Sequence, residues 1–391
     1  MRRVVIVEGD GEVAEGLRRS LRGYAAEWEL TVVGDALAVE AELAQPSAPD
    51  VVICDASVNG VENLLLHLKL KAPRVVRAVL AGAEVNAEVI ARLQGTAHQV
   101  LRKPLLPAML FDLVERTVAV INALGNERLQ VVIGQLGDLP PLPATYSQLS
   151  QMTQDPDVSL TRVTAVVERD PSIVAAVLRM INSAYFGLPR RVSTVAETVR
   201  YLGIGPLKNL VLTVELFEGL ATGRRAVTLQ QEALLRAYAM RDLLGRTPKA
   251  EQAFMAGILS DVGALLLLTR LPIDAMAIDQ AVEAGRLPWV VQQERLSCTS
   301  AHIGAQLLTR WNLPQALVEA VALQNEEPRG TPAPTLGTAL ALVSAIEWSV
   351  RAPEPLRGDF RKRAAELVTA FPAASLEAIG RYFNAAPSQA A

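Results

Sequence analysis

The first hundred or so residues alternate short apolar runs with amphipathic stretches. Val- and Ile-rich runs occupy residues 3–8, 50–54, 75–80 and 98–101, and between them apolar side chains recur at helical spacing, as at Val13, Leu17 and Leu21. Such alternation predicts a parallel sheet, because a parallel crossover needs a connection long enough to hold a helix. Runs such as VVIC and VVRAVL are nearly continuous, so neither sheet face should meet water and helices should cover both. The expectation is an α/β, doubly wound, five-stranded parallel sheet over residues 1–123. In such sheets functional side chains gather past the carboxyl ends of the strands. Glu8 and Asp10 follow VVIV there, and Asp55 follows VVIC.

Beyond the sheet the pattern changes. Residues 105–122 read as a helix with Leu106, Leu110, Leu113, Val114 and Val118 on one side, running on towards Arg128. Pro140, Pro141 and Pro143 then remove amide donors and disfavour helix, so residues 124–143 read as a linker. From 144 to 350 no strand alternation appears, while helix starts recur: Asp170 before Pro171 reads as a cap with proline in the first turn, and Gly205 with Pro206 opens LKNLVLTVELF. This stretch is predicted to be all-helical, with EEPRGTPAPTLG as an internal loop. Residues 351–391 are expected to add a linker, a basic run at Arg361–Arg363 on a solvated face, a docked helix in SLEAIGRYF, and a disordered PSQAA tail.

Composition narrows the function classes. A length of 391 residues allows two or three domains, and a net charge of -3 gives no sequence-wide case for a nucleic-acid or membrane partner. The two cysteines, Cys54 and Cys298, lie in apolar runs of different modules and read as small buried side chains rather than a disulfide. MRRVVIVEGD turns acidic far short of the roughly 20 apolar residues of a membrane span, so a cytoplasmic protein is expected.

Through VVIVEGD, PDVVICDASVNG and AHQVLRKP the first module resembles a response-regulator receiver domain, which has a flavodoxin-like fold. Receivers accept a phosphoryl group on an aspartate from a sensor histidine kinase. The resemblance implies Asp55 as acceptor, Lys103 as the phosphoryl contact, and Glu8 with Asp10 as the acidic pocket, with a weak magnesium site at Glu8, Asp10 and Asp55. The match is incomplete. Gly9 separates the acids that are adjacent in the family, Ala81 replaces the usual hydroxyl residue, and Val100 replaces the usual aromatic. Magnesium prefers near-octahedral oxygen ligands, so a lost carboxylate weakens its site. A degenerate input domain is the expectation.

The segment DPSIVAAVLRMINSAYFGLPRRVSTVAETVRYLGIGPLKNLVL, residues 170–212, is followed in order by AFMAGILSDVGALLLL and AHIGAQLLTRWNLP. Together they closely resemble the HDOD domain, a helical relative of the HD phosphohydrolases. In those enzymes a His-Asp pair on a helix like AFMAGILSDVGALLLL holds a divalent metal. Here Ser260 stands in place of the histidine and only Asp261 remains. The resemblance places Ala237, Ser300 before Ala301, and Gln324 with Asn325 at the other ligand-like positions, and none replaces an imidazole. Of the three histidines His67, His98 and His302, only the last falls in this module, where it reads as a helix-surface or packed residue. The expectation is therefore a two-component-type signalling protein with a non-catalytic HDOD output that binds a downstream signalling protein.

NSAYFGLPR and the arginine after it supply a candidate partner-binding patch at Asn182, Tyr185, Phe186, Arg190 and Arg191, since arginine and aromatic residues favour interface centres. Two rival functions stand beside this one: a metal-dependent HD phosphohydrolase built on Asp261, and a sensor binding a cyclic dinucleotide through the arginine pair. A homodimer is a further expectation.

Overall fold

A computed structural model of the chain describes residues 1–384 apart from 46, 95, 105, 154, 156, 183–190, 221–223, 246–248, 312 and 327–333. The chain divides into two compact units, Met1–Asn126 and Glu127–Ala391.

The first unit is a five-stranded parallel sheet in the order β2-β1-β3-β4-β5, with β1 Arg2–Val7, β2 Trp28–Val33, β3 Val51–Asp55, β4 Val76–Ala81 and β5 Gln99–Arg102. Helices α1 Gly11–Ser20, α2 Ala38–Leu43, α3 Val61–Lys71, α4 Ala87–Gln94 and α5 Pro107–Leu124 connect and close it. The alternating side chains of β1 and β3 divide between two cores. Val5, Val7, Val52 and Cys54 pack with Leu64, Leu65 and Leu68 of α3, while Val4, Ile6, Val51 and Ile53 pack with Leu110, Val114 and Val118 of α5. Burial on both faces explains the unbroken apolar runs. The four apolar runs of the sequence correspond to β1, β3, β4 and β5. The strand without such a run, β2, carries WELTVV and pairs only with β1 at the sheet edge.

The second unit is helical throughout its described residues. Its boundary corrects the expected linker. The last helix of the first unit ends at Leu124 with Gly125 as its cap, and residues expected to be connector form the helix Glu127–Leu136, whose Leu129, Val132 and Leu136 are buried. The prolines after it are packed rather than free: the Pro140 carbonyl accepts a hydrogen bond from Trp311 Nε1 at 2.9 Å. The expected linker after residue 350 is also helical, as Glu354–Leu367, and Ala373–Asn384 follows with Ile379 and Phe383 buried. Arg363 corrects the reading of a solvated basic run, because its guanidinium donates to the carbonyls of Gln324, Asn325 and Glu326 at 2.7–3.0 Å. The stretch Ala250–Arg270 is long and apolar enough to cross a membrane by composition, yet 72% of its apolar window is buried within the protein, as in a core helix pair. The tail PSQAA and most of EEPRGTPAPTLG lie outside the described residues.

Candidate functional site

In the sheet unit, Glu8 sits just past β1 and Asp55 is the last residue of β3, the adjacent strands where the strand order reverses. Both carboxylates are buried, at 5% and 3% exposure. Lys103, after β5, forms an ion pair with Asp55 and lies 3.5 Å from Glu8 Oε2. Asp55 Oδ1 also accepts from the Ser57 amide at 2.8 Å and from the Ser57 hydroxyl. Burial by itself would raise the Asp55 carboxyl, but hydrogen bonds from Lys103 and Ser57 outweigh it and hold Asp55 below its ordinary value. Burial opposes the Lys103 charge too, and Asp55 and Glu8 reverse that, so its ammonium is held above its ordinary value.

The third acid points elsewhere. Asp10 is exposed and caps α1, accepting from the amides of Glu12 and Val13 at 2.8 and 3.1 Å, while its own amide donates to Glu8 Oε1. Magnesium would meet two carboxylates already joined by an ammonium and a third turned into a helix cap, a poor fit to an octahedral oxygen shell. Ala81 is buried at the end of β4, and Val100 is half-buried in β5.

In the helical unit, two close helix approaches build the second centre. A Cβ on Gly257 would stand 2.4 Å from the Ala237 Cα, and one on Gly263 would stand 1.9 Å from the Ser300 carbonyl oxygen. The two glycines of AFMAGILSDVGALLLL therefore let Ala250–Leu259 lie against Arg224–Leu244, and Val262–Arg270 against Ser300–Arg310. The helical run breaks between them at Ser260 and Asp261. Ala237, expected at a ligand-like position, is instead consumed in this backbone contact, and the preceding residue reaches the centre.

That residue is Arg236, 3% exposed. Its Nη1 donates to Ser260 Oγ at 2.5 Å and to Asp261 Oδ2 at 2.7 Å, and its Nε donates to Glu347 Oε2 at 2.9 Å. Burial works against the guanidinium charge, but Asp261 and Glu347 more than offset it and raise its proton affinity. Ser260 in turn donates to the Gly257 carbonyl at 2.8 Å, and its own carbonyl accepts from Gln324 Nε2 at 2.9 Å. Glu232, one turn before Arg236, is driven up to about 7 by burial, reinforced by the charges of Glu347 and Asp261.

Asp261, Ser300, Gln324 and Asn325 line one cavity of about 150 Å³ together with Glu232 and Arg236. The ligand-like positions thus converge, Ala237 excepted. Sequence reasoning missed Arg236, Glu347 and Glu232. A signal was present: a lone arginine in LLRAYAM and a lone acid in ALVSAIEWSV interrupt apolar helices, and charged residues are rarely fully buried without a partner. Among the described residues no group of three or more His, Cys, Asp or Glu side chains is placed to hold a metal ion. His302 forms a capping box with Thr299 at the start of its helix. The thiols are buried and unpaired, and burial pushes Cys54 up to about 12 and Cys298 up to about 11.

Of the proposed partner patch, Tyr185, Phe186 and Arg190 lie outside the described residues, and Arg191 is exposed. Asn182 acts structurally, since its side chain donates to the carbonyls of Leu178 and Val192 and accepts from the Val192 amide at 2.7 Å. It thereby ties the end of Pro171–Ile181 to Val192.

Residues 139–327 match the family model of the HDOD domain, and the helical unit carries that domain. An uncharacterized protein of Treponema pallidum (strain Nichols) is 24% identical over 202 residues, a match covering 50% of this chain and 39% of the relative's length. An HDOD domain protein with unknown function from Geobacter sulfurreducens is similar in structure, with a TM-score of 0.54 and 17% identity over 67% of this chain and 94% of that one. A candidate phosphohydrolase from Shewanella amazonensis SB2B aligns at 25% identity and a TM-score of 0.49, over 66% of this chain and 99% of that one. The Geobacter likeness speaks to the fold.

Proposed function

We propose that the chain is a cytoplasmic signalling protein in which a degenerate receiver-like input domain is joined to an HDOD output domain that binds a downstream protein and turns over no substrate. The carrying observation is Arg236. Its guanidinium contacts both Ser260 and Asp261, the two residues that stand at the metal-binding His-Asp pair of the HD hydrolases, so a covalently attached cation takes the place suited to a metal. An internal cation can balance Asp261 and Glu347, but it offers no open coordination position at which water could be activated. The buried, unpaired thiols of Cys54 and Cys298 suit a reducing compartment. A sensor histidine kinase is the partner that the receiver resemblance implies, and the degenerate pocket suits docking rather than phosphoryl transfer to Asp55.

The test is metal content with turnover. After incubation with manganese or iron(II) and desalting, the full chain is expected to retain no stoichiometric metal and to leave bis(p-nitrophenyl) phosphate intact. Stoichiometric metal together with hydrolysis that disappears in Asp261→Ala would establish the phosphohydrolase reading instead.

A further inference from the structure

The cavity beside Arg236 has a lining that a plain scaffold does not require. Glu232 and Asp261 share it with the rings of Trp289, Trp348 and Phe360. The rings form a continuous wall, with Trp348 stacked on Phe360 at 5.2 Å and Trp289 edge-on to Phe360 at 5.7 Å. At about 150 Å³ the space matches that of an engineered cavity that admits benzene. That volume is far below the 300–1,000 Å³ or so typical of pockets for drug-sized ligands, which argues against a dinucleotide. An apolar cavity of this size would stay dry, whereas this one presents carboxylates and amides and calls for a polar occupant.

Its charge pattern selects the occupant. Glu232 lies 3.6 Å from Arg351, Arg351 3.1 Å from Glu347, Glu347 2.8 Å from Arg236, and Arg236 2.7 Å from Asp261. Three carboxylates thus share two guanidinium groups. The other cations at the cavity are engaged elsewhere: Arg225 with Asp279 at 3.6 Å, and Arg363 with three carbonyls and the Trp289 ring. Glu232 is the open end of the chain and accepts no hydrogen bond from any described residue. Raised to about 7, it is only partly protonated at neutral pH, and a ligand cation against an aromatic wall could balance its charge.

We propose that this cavity binds a small organic cation, an amine, amidinium or guanidinium group on a body about the size of one ring, with Glu232 as counter-ion and Trp348 and Phe360 as the apolar wall. The proposal rests on the metal-free reading of the Arg236 centre. Binding displaces the proton of Glu232, which faces Glu347 and Arg351 from one helix, Asp261 from the break before Val262–Arg270, and Arg225 and Arg236 from its own helix, with Asp279 of Pro272–Glu283 lining the same cavity. Affinity therefore rises with pH, by about ten-fold between pH 6 and 8 for an acid titrating near 7.

Benzamidine, charged at both pH values, and its neutral isostere benzamide are suitable probes for the full chain, read by calorimetry and tryptophan fluorescence. Benzamidine is expected to bind saturably, more tightly at pH 8 than at pH 6, with proton release, and benzamide at least ten-fold more weakly. Glu232→Gln copies the protonated carboxyl, so it should fold and melt above the parent at pH 7 while losing the pH dependence of binding. Equal binding of the two probes, a pH-independent affinity, or no saturable binding of benzamidine would overturn the proposal. Metal content of the same sample separates the outcomes: a metal-loaded protein defeats the signalling reading, whereas a metal-free protein indifferent to benzamidine defeats only the cation site.

Discussion

Arg236 Nη1 lies 2.7 Å from Asp261 Oδ2, and this contact ties the middle of Arg224–Leu244 to the break between Ala250–Leu259 and Val262–Arg270. The same guanidinium reaches Glu347 on Leu336–Arg351, so one side chain joins three segments of the helical unit. A buried charge held this way is costly to assemble and costlier to leave half-made.

Arg236→Met should therefore destabilise the helical unit by about 3–5 kcal/mol, since it strands Glu347 and Asp261 without their shared cation. The double variant Arg236→Met with Glu347→Leu removes the stranded acid as well and should recover a large part of that loss. Urea melts of the parent, both single variants and the double variant measure the coupling. Additive losses would show that the two side chains do not act as a pair.

The acid limb of the helical unit should carry the signature of Glu232. Its folded-state value is raised from 4.5 to about 7, so between those values the folded protein holds a proton that the unfolded chain has released. Stability therefore falls as pH rises from 4.5 towards 7 and levels off above, by about 3 kcal/mol if Glu232 acted alone. Thermal melts from pH 5 to 8 should slope downwards in the parent and flatten in Glu232→Gln. Identical slopes would remove Glu232 as the cause.

The glycine contacts offer a purely steric test. Gly257→Ala and Gly263→Ala each place a methyl against backbone, at 2.4 Å and 1.9 Å, where no side chain can swing aside. Each is expected to cost about 1–3 kcal/mol or more through forced separation of the helices. Gly358→Ala, in an exposed helix interior with nothing within 4 Å of the new methyl, should instead gain about 0.5–1 kcal/mol. Similar melting points for all three would mean that the helix crossings are looser than described.

How far the sequence reveals this molecule depends on which physical signal each element leaves. β1, β3 and β4 are legible because burial on both faces removes their polar positions, whereas the edge position of β2 leaves a mixed pattern that hides it. The prolines at 140, 141 and 143 suggest the unit boundary, but Glu127–Leu136 already packs in the helical unit, and a short amphipathic helix near prolines looks like a connector. Asp261, Ser300 and Gln324 are locatable by motif and do gather at one cavity, with Ser260 hydrogen-bonded to its Arg236 and Gln324. Arg236 and Glu347 escape a reading of the sequence because they lie 111 positions apart, and a single charge on a helix ordinarily reads as a surface residue until its partner is known.

The Asp55–Lys103 pair gives the last prediction. Asp55 is held below its ordinary 3.8, so its stabilising contribution is complete above that value and disappears as pH falls through the lowered one. Removing the ammonium in Lys103→Met leaves burial as the dominant influence on Asp55, which should raise its carboxyl and move the acid unfolding of the sheet unit to higher pH. The loss at neutral pH should be about 1–3 kcal/mol, the cost of a buried polar group deprived of its partner. Carboxyl chemical shifts followed through an acid titration would report the change at Asp55 directly. With Asp10 committed to capping α1, the acidic pocket offers magnesium too few oxygens to support phosphoryl transfer, so acetyl phosphate with magnesium should leave the intact mass unchanged. A phosphoryl adduct in the parent that is absent in Asp55→Asn would show instead that two carboxylates and Lys103 suffice for the sheet unit to take up a phosphoryl group.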